Sequence, residues 1–272
     1  MEVRLKYILA IFALIISLIF SLTPLLFMLV VSFAEDINFM LGKDYNITLR
    51  NYVDIIKKED LYFLRYILNS LIISSTSALI SLFVSSLSAY TLSRLSSRPL
   101  LFLSLLLFVS MFPPISTVGF LFNFYSLLGI INTYLALILT YIAWSLPMGV
   151  WVMFSYFSKL PKDIDRAAII DGANHLFILF KILFPLSKPA LVSCYILLFL
   201  FAFNEFMFAY IFTIDHTSRT ITVGIALFEG IHGQVPWGYI MAGASISVMP
   251  VLIVVLMLQK YIIEGLVKGA VR

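Results

Sequence analysis

The spacing of the charges constrains this chain more than any other feature. No Asp, Glu, Lys or Arg occurs from Tyr7 to Ala34, from Tyr66 to Ser93, or from Pro99 to Ser158. A helix rises about 1.5 Å per residue, so about 20 apolar residues cross a hydrocarbon core about 30 Å thick. Each gap is long enough to span once, and the third is long enough to span twice. Soluble domains carry about a quarter charged residues; here 12% are charged and 62% hydrophobic. The expected fold class is therefore all-α, a polytopic membrane protein.

Six transmembrane helices are expected, at roughly Tyr7–Ser32, Tyr66–Leu92, Leu100–Phe120, Thr133–Phe154, Pro189–Thr213 and Tyr239–Tyr261. Pro113-Pro114 interrupts the third near its end, and Gly129 and Asn132 punctuate the loop that follows. The first run is too long for a signal-peptide core and reads as a retained span. Residues 1–65 then form an N-terminal span with an external loop, and 66–272 the remaining core.

Orientation follows from basic residues. Arg4, Lys6, Arg94, Arg98, Lys159, Lys162, Arg166, Lys181, Lys188, Lys260, Lys268 and Arg272 fall on one side; Lys43, Arg50, Lys57, Lys58, Arg65 and Arg219 fall on the other. Twelve against six places both termini in the cytoplasm. The first external loop holds five of those six, beside Glu35, Asp36, Asp44, Asp54, Glu59 and Asp60, which add little to a rule that is not one of net charge.

On this topology the largest cytoplasmic loop is about 158–188. Pro161 suits a first helical turn, Asp163 and Asp165 favour the positive end of that helix, and Gly172 can end it in a left-handed conformation. A second helix is expected from near Ala173 to just before Pro185. Its apolar face is Leu176, Phe177, Phe180, Leu183 and Phe184, widened by Ile178, Leu179 and Ile182. Periodicity alone fits either an interfacial helix lying in the headgroups or a helical hairpin that docks on a partner.

The residues of this loop carry a resemblance. Ala167-Ala168, Asp171-Gly172-Ala173 and Pro185-Leu186 are similar to the Glu-Ala-Ala, Asp-Gly-Ala and Pro-Leu signature of binding-protein-dependent ABC importer permeases. Asn69-Ser70, Ala89-Tyr90 with Arg94, Met111-Phe112-Pro113-Pro114, Gly129 with Asn132-Thr133-Tyr134, and Ser145-Leu146-Pro147 resemble the carbohydrate, maltose-type branch. So do Gln259, Gly265-Leu266, Gly269 and Ala270-Val271 near the end. The resemblance implies a coupling-helix loop that engages a cytoplasmic ABC ATPase through Asp165, Arg166, Ala167, Ala168, Asp171, Gly172, Ala173, Phe177 and Phe180. The signature glutamate aligns with Arg166, which reverses the charge. Asp165, one residue earlier, sits about 100 degrees round the helix.

By the same resemblance, the chain is the permease subunit of an importer for a mono- or oligosaccharide. ATP and Mg belong to the partner ATPase, in two copies, and this chain binds no cofactor. A second related permease and an external sugar-binding protein complete the complex, in contact with membrane lipid and with no nucleic acid. No Gly-x-x-x-x-Gly-Lys-Ser/Thr loop occurs, so hydrolysis needs that separate subunit and the chain is not itself an enzyme.

Glu205 is the only carboxylate well inside an expected span, and such groups face protein or water. Asn204-Glu205-Phe206 resembles a family motif whose preceding tryptophan is here Phe203. Asn204 and Glu205 either line the substrate path or pack helices together. Ser70, Ser74, Ser77, Ser81, Ser85 and Ser88 recur at helical spacing; this face is either a packing seam of small residues or, at Ser74, Ser77 and Ser81, a pathway lining.

Cys194 reads as a small packing residue, and one cysteine excludes an internal disulfide. His175, His216 and His232 lack ligand spacing, so no metal site is expected; His175 is assigned to the polar face of the loop. Asn46-Ile47-Thr48 matches a glycosylation acceptor. A secondary transporter coupling an ion through Glu205 is the alternative function, but no repeat of broken helices accompanies it. An intramembrane enzyme would need a nucleophile–base pair or a metal cluster, and none is seen.

Overall fold

The structure, a computed structural model, describes residues 2–34, 46–228 and 236–270. Glu35, Asp36, Lys43, Asp44, His232, Val271 and Arg272 lie outside the described residues. The described backbone is helical apart from loops and one isolated bridge, Ala34 to Ile47.

Among the described residues, four helices are long and apolar enough to cross a membrane unbroken: α1 (Glu2–Ser32), α3 (Phe63–Arg94), α6 (Tyr134–Phe157) and α12 (Trp237–Ala270). A short helix, α2 (Arg50–Lys57), precedes α3. The third expected span is two helices, α4 (Pro99–Ser110) and α5 (Ile115–Leu127), bent by 85°. Pro113 and Pro114 explain the break, because neither supplies a backbone N–H and each disfavours the helical region for its predecessor.

Beyond α6 the loop forms α7 (Asp163–Ile170) and α8 (His175–Leu186), and α8 meets α9 (Lys188–Phe203) at 87°. The fifth expected span corresponds to α9, a break at residues 204–206, and α10 (Met207–Phe212). A short α11 (Ile221–Ala226) follows. Two bent pairs raise the candidate spans from 4 to 6 if each pair is one span.

The chain divides into two compact units, residues 1–64 with 224–249, and 65–223 with 250–272. The first unit is discontinuous in sequence. Within it, the start of α12 packs on the α2 region. Tyr239 donates its hydroxyl to Asp54 Oδ2 (2.6 Å) and receives a bond from Lys58 Nζ (2.9 Å). Gly238 is needed there, since a Cβ would lie 2.5 Å from Asn51 Nδ2 and 3.1 Å from the Ala34 carbonyl. Asn51 in turn donates to the Ser32 and Ala34 carbonyls, tying α2 to the end of α1. Lys58 lies 2.8 Å from Asp54 Oδ2. The Lys58 bond, then the Tyr239 bond, lower the Asp54 pKa from its ordinary value.

In the second unit α6 is the central helix, with α9 and α4 packed along it. The core gathers Ile73, Tyr125, Ala136, Leu137, Tyr141, Ala202, Phe208, Ala209 and Phe212. Cys194 is fully buried, its thiol 3.9 Å from the Gly149 carbonyl of α6.

Candidate functional site

The loop between α6 and α9 is built by local rules. After α7, the Gly172 N–H bonds the Ile169 carbonyl (3.0 Å) and the Ala173 N–H bonds the Ala168 carbonyl (2.9 Å). Gly172 has φ +81°. This is the glycine-centred stop that satisfies the last carbonyls of a helix. Asn174 then caps α8, its side chain accepting the Phe177 N–H at 2.7 Å. Ala168, Asp171, Gly172, Ala173, Asn174, Phe177 and Ile182 line an open cleft of about 490 Å³ at this turn.

The second helix departs from expectation in two respects. Residues Ile178–Leu183 are π-helical, and α8 runs through Pro185 instead of stopping before it. Widened turns are one way to keep a proline ring clear of the carbonyl four residues back. The apolar face shifts with the winding. Ile178, Leu179 and Leu183 are fully buried, whereas Leu176 and Phe177 are more than half exposed. Positions i, i+1 and i+5 share a face because π bonding runs i to i+5. Phe180 stacks on Phe83 of α3, 5.8 Å between centroids, and meets Phe184 edge-on.

Two neighbouring residues of α7 have opposite surroundings. Asp165 is buried, with Oδ2 3.0 Å from Arg94 Nε; their side chains are 9% and 5% exposed. The alignment of these atoms makes this a charge contact and not a directed hydrogen bond. Arg166 points the other way, 73% exposed, and its pair with Asp163 at 3.1 Å is equally open to solvent. Ala168 is buried beside Asp165, while Ala167, Asp171 and Gly172 are exposed with Arg166. His175, read as belonging to a polar face, bonds the Tyr90 hydroxyl through Nδ1 at 3.0 Å.

Glu205 lies not inside a helix but at the break between α9 and α10. Its Oε1 accepts the Phe208 N–H (2.9 Å); Oε2 accepts the Ala209 N–H (3.1 Å) and the Tyr141 hydroxyl (2.9 Å). Its backbone carbonyl accepts Thr222 Oγ1 (2.9 Å). The first N–H groups of a helix lack intrahelical partners and attract negative charge, so the carboxylate caps α10. Asn204 is exposed, and its side chain donates to the Leu200 carbonyl.

The serine face of α3 is a seam. Ser74, Ser77 and Ser81 are at most 1% exposed. Ser74 and Ser77 bond the carbonyls of Ser70 and Ile73, and Ser81 bonds Ser145 of α6 at 2.7 Å. One turn on, a Cβ on Gly149 would lie 2.3 Å from Ser85 Oγ and 3.0 Å from Ser85 Cβ. Small residues four apart on both helices allow this approach. Ser81 and Ser85 pack α3 on α6, while Ser74 and Ser77 are buried and bond back within α3.

A cluster at the far end of α3 was legible only as scattered motif residues. Asn69 donates to the Thr217 and Arg219 carbonyls and accepts the Tyr134 hydroxyl. Asn132, at φ +62°, accepts from the Ile214 N–H and the Ser218 hydroxyl. Together they fix loop 213–220. Among the described residues no His, Cys, Asp and Glu group has metal-binding form.

The model of the binding-protein-dependent transport system inner membrane component matches residues 81–268, which include the glycine turn, the serine seam from Ser81 onward and Glu205. The chain belongs to this family. It is similar to the trehalose/maltose transport system permease protein MalG of Thermococcus litoralis, 49% identical over all of this chain and 99% of that protein. The trehalose transport system permease protein SugB of Mycobacterium tuberculosis is 34% identical, over 83% of this chain and 82% of its own length. A crystal structure of a bacterial ABC transporter involved in import of the acidic polysaccharide alginate contains a chain of the same fold, with TM-score 0.77, 21% identity, and coverage of 95% and 97%. This inner membrane component is thus a multi-pass transport subunit and not an enzyme. Secondary transport through Glu205 finds no support among these relatives.

Proposed function

We propose that this permease forms part of the membrane path of an ATP-driven importer for a mono- or oligosaccharide. Trehalose and maltose, named for the relatives above, are the first sugars to test. Two copies of a cytoplasmic ABC ATPase, holding ATP and Mg, would engage the 158–188 loop. A second related permease would complete the path, and an external sugar-binding protein would deliver substrate. A solved relative of the same fold is described as an alginate ABC transporter in complex with an alginate pentasaccharide-bound periplasmic protein. Both termini would then face the cytoplasm with the loop, as the basic residues favour.

The observation that carries this reading is the exposed turn at Asp171-Gly172-Ala173, which presents Arg166, Ile169, Ile170 and Phe177 outward on a loop anchored at its back. Ile169, Ile170 and Phe177 are 48%, 85% and 51% exposed, an apolar set around the turn that a docked partner would cover. Gly172→Val tests it. A side chain at Gly172 would touch nothing within 4 Å, but φ +81° disfavours a β-branched residue. Left-handed backbone costs an L-residue about 1–2 kcal/mol, enough to reshape the turn without unfolding the membrane helices. Sugar uptake should fall several-fold while membrane insertion and yield stay normal. Unchanged uptake would count against docking through this loop.

A further inference from the structure

The loop is held to α3 at three places along one side of that helix. Phe83 stacks on Phe180, Tyr90 bonds His175, and Arg94 meets both Asp165 and the Leu160 carbonyl (3.2 Å). Positions 83, 90 and 94 are seven and four residues apart, so they lie on one helical face. They reach the middle of α8, its first residue, and the first turns of α7 respectively. Two of these contacts are ordinary ring packing and a partly buried hydrogen bond. The third is different: a full positive and a full negative charge, both shielded from water.

A buried charge pair behaves as a unit. Removing either member leaves the other uncompensated in a low-dielectric site. Here the dependence is sharp, because Arg94 Nη1 and Asp165 Oδ1 have no hydrogen-bond partner among the described residues. Separation would cost the two ions their mutual contact in a site shielded from water, so the pair resists small sliding. We infer that Arg94 is a positioning residue for energy coupling, clamping α7 to the end of α3 so that loop displacement moves α3 as one body. Asp165 is then the inward anchor of the loop, and Arg166 and its neighbours remain free for a partner. Nothing between the two is shared: Asp165 and Ala168 face in, while Arg166, Ile169 and Ile170 face out. Through the serine seam, α3 is in turn packed on α6, whose Tyr141 holds Glu205.

This inference rests on the coupling reading above, and the test separates the two. The assembled transporter, with its ATPase and second permease, is reconstituted in proteoliposomes with its sugar-binding protein outside. Sugar transported per ATP hydrolysed is then measured. For Arg94→Gln the ATPase should remain bound and hydrolyse ATP, while sugar per ATP falls at least tenfold. Arg94→Lys, which keeps the charge, should recover most of that loss; a merely structural role would not move this ratio. Because Arg94→Gln strands a buried carboxylate and can fail to fold, Arg94→Met with Asp165→Leu is made in parallel. That pair buries no charge and should fold yet couple poorly. Wild-type sugar per ATP in Arg94→Gln or in the double variant overturns the clamp, as does loss of ATPase from Arg94→Gln, which would make Arg94 part of docking alone. If the unaltered chain itself retains no ATPase, the coupling reading fails first.

Discussion

Replacing Glu205 by alanine removes three accepted hydrogen bonds at once, from the Phe208 and Ala209 N–H groups and from the Tyr141 hydroxyl. Bonds to a charged group contribute about 1.5–3 kcal/mol each when buried. Glu205 is partly exposed, so water can take over some of the orphaned donors, and a total of about 3–5 kcal/mol is expected from these bonds. Glutamine is a milder change. Its amide oxygen can keep the Tyr141 and Ala209 partners at the Oε2 position, while its NH2 faces the Phe208 N–H and loses that bond. The expected cost is about 1–2 kcal/mol. Thermal unfolding of the partner-bound transporter and sugar uptake in proteoliposomes are read together. Glu205→Ala should lower the unfolding midpoint strongly, with uptake falling in proportion to the folded fraction. Glu205→Gln should lower the midpoint slightly and keep most uptake. The reasoning is refuted if Glu205→Gln unfolds like the wild type but transports nothing. The carboxylate would then act on substrate or an ion and not as the cap of α10.

Gly149→Ala should destabilise the α3–α6 seam by about 1–3 kcal/mol, the usual cost of overpacking, because its Cβ meets Ser85 Cβ as well as the hydroxyl. Adding Ser85→Gly should recover most of the loss in a double-mutant cycle, and strict additivity would argue against contact. At Asp215, the Thr217 hydroxyl and N–H and the Asn132 side chain hold the carboxyl pKa at about 2, below its ordinary 3.8. A depressed carboxyl stabilises the folded loop above its unfolded value and loses that effect as pH falls through the folded value. Cleavage of loop 213–220 by pepsin, scaled to a peptide of the same sequence, should therefore rise as pH falls from 3.8 towards about 2. In Asp215→Asn it should be high throughout, and equal pH profiles for the two proteins would count against the assignment.

What the sequence makes legible here is what depends on near neighbours along the chain. Charge-free length announces spans, and a glycine after Ala167-Ala168 announces a turn, because both are set within a few residues. Pro113-Pro114 marks a break for the same reason, but its 85° angle is decided by where α5 packs. The break at Asn204-Glu205-Phe206 contains neither proline nor glycine. The break is held locally by the Glu205 carboxylate on the Phe208 and Ala209 N–H groups. At long range it is held by Tyr141, 64 residues earlier, and by Thr222 on the Glu205 carbonyl; the long-range partners leave no mark on the local sequence. The serine periodicity is visible, yet its meaning is not, since Ser145 and Gly149 must be placed opposite before packing is distinguished from lining. The winding of α8 shows the limit from another side. A 3.6-residue period assigns Leu176, Phe177 and Leu183 inward; Leu183 is buried as expected, but Leu176 and Phe177 are exposed and Ile178 and Leu179 are buried in their stead.

Asp165 and Arg166 bring these threads to one place. A helix turns about 100 degrees per residue, so adjacent charges on α7 cannot serve the same neighbour. The structure gives the acid to Arg94, inside the chain, and leaves the base outside. The outward pair of Arg166 with Asp163 is solvent-exposed on both sides, and such pairs contribute about 0–1 kcal/mol. It can therefore be exchanged for a contact with another protein at little cost, whereas the Arg94 pair cannot be broken without stranding a buried ion. Unequal strengths on opposite faces of one short helix are what a mechanical relay requires. The stronger attachment fixes the helix to the permease, and the weaker leaves its other face free to engage and release. A partner that meets this face meets a positive charge at the position where the resemblance expects a negative one, so its complementary residue at that point should be acidic.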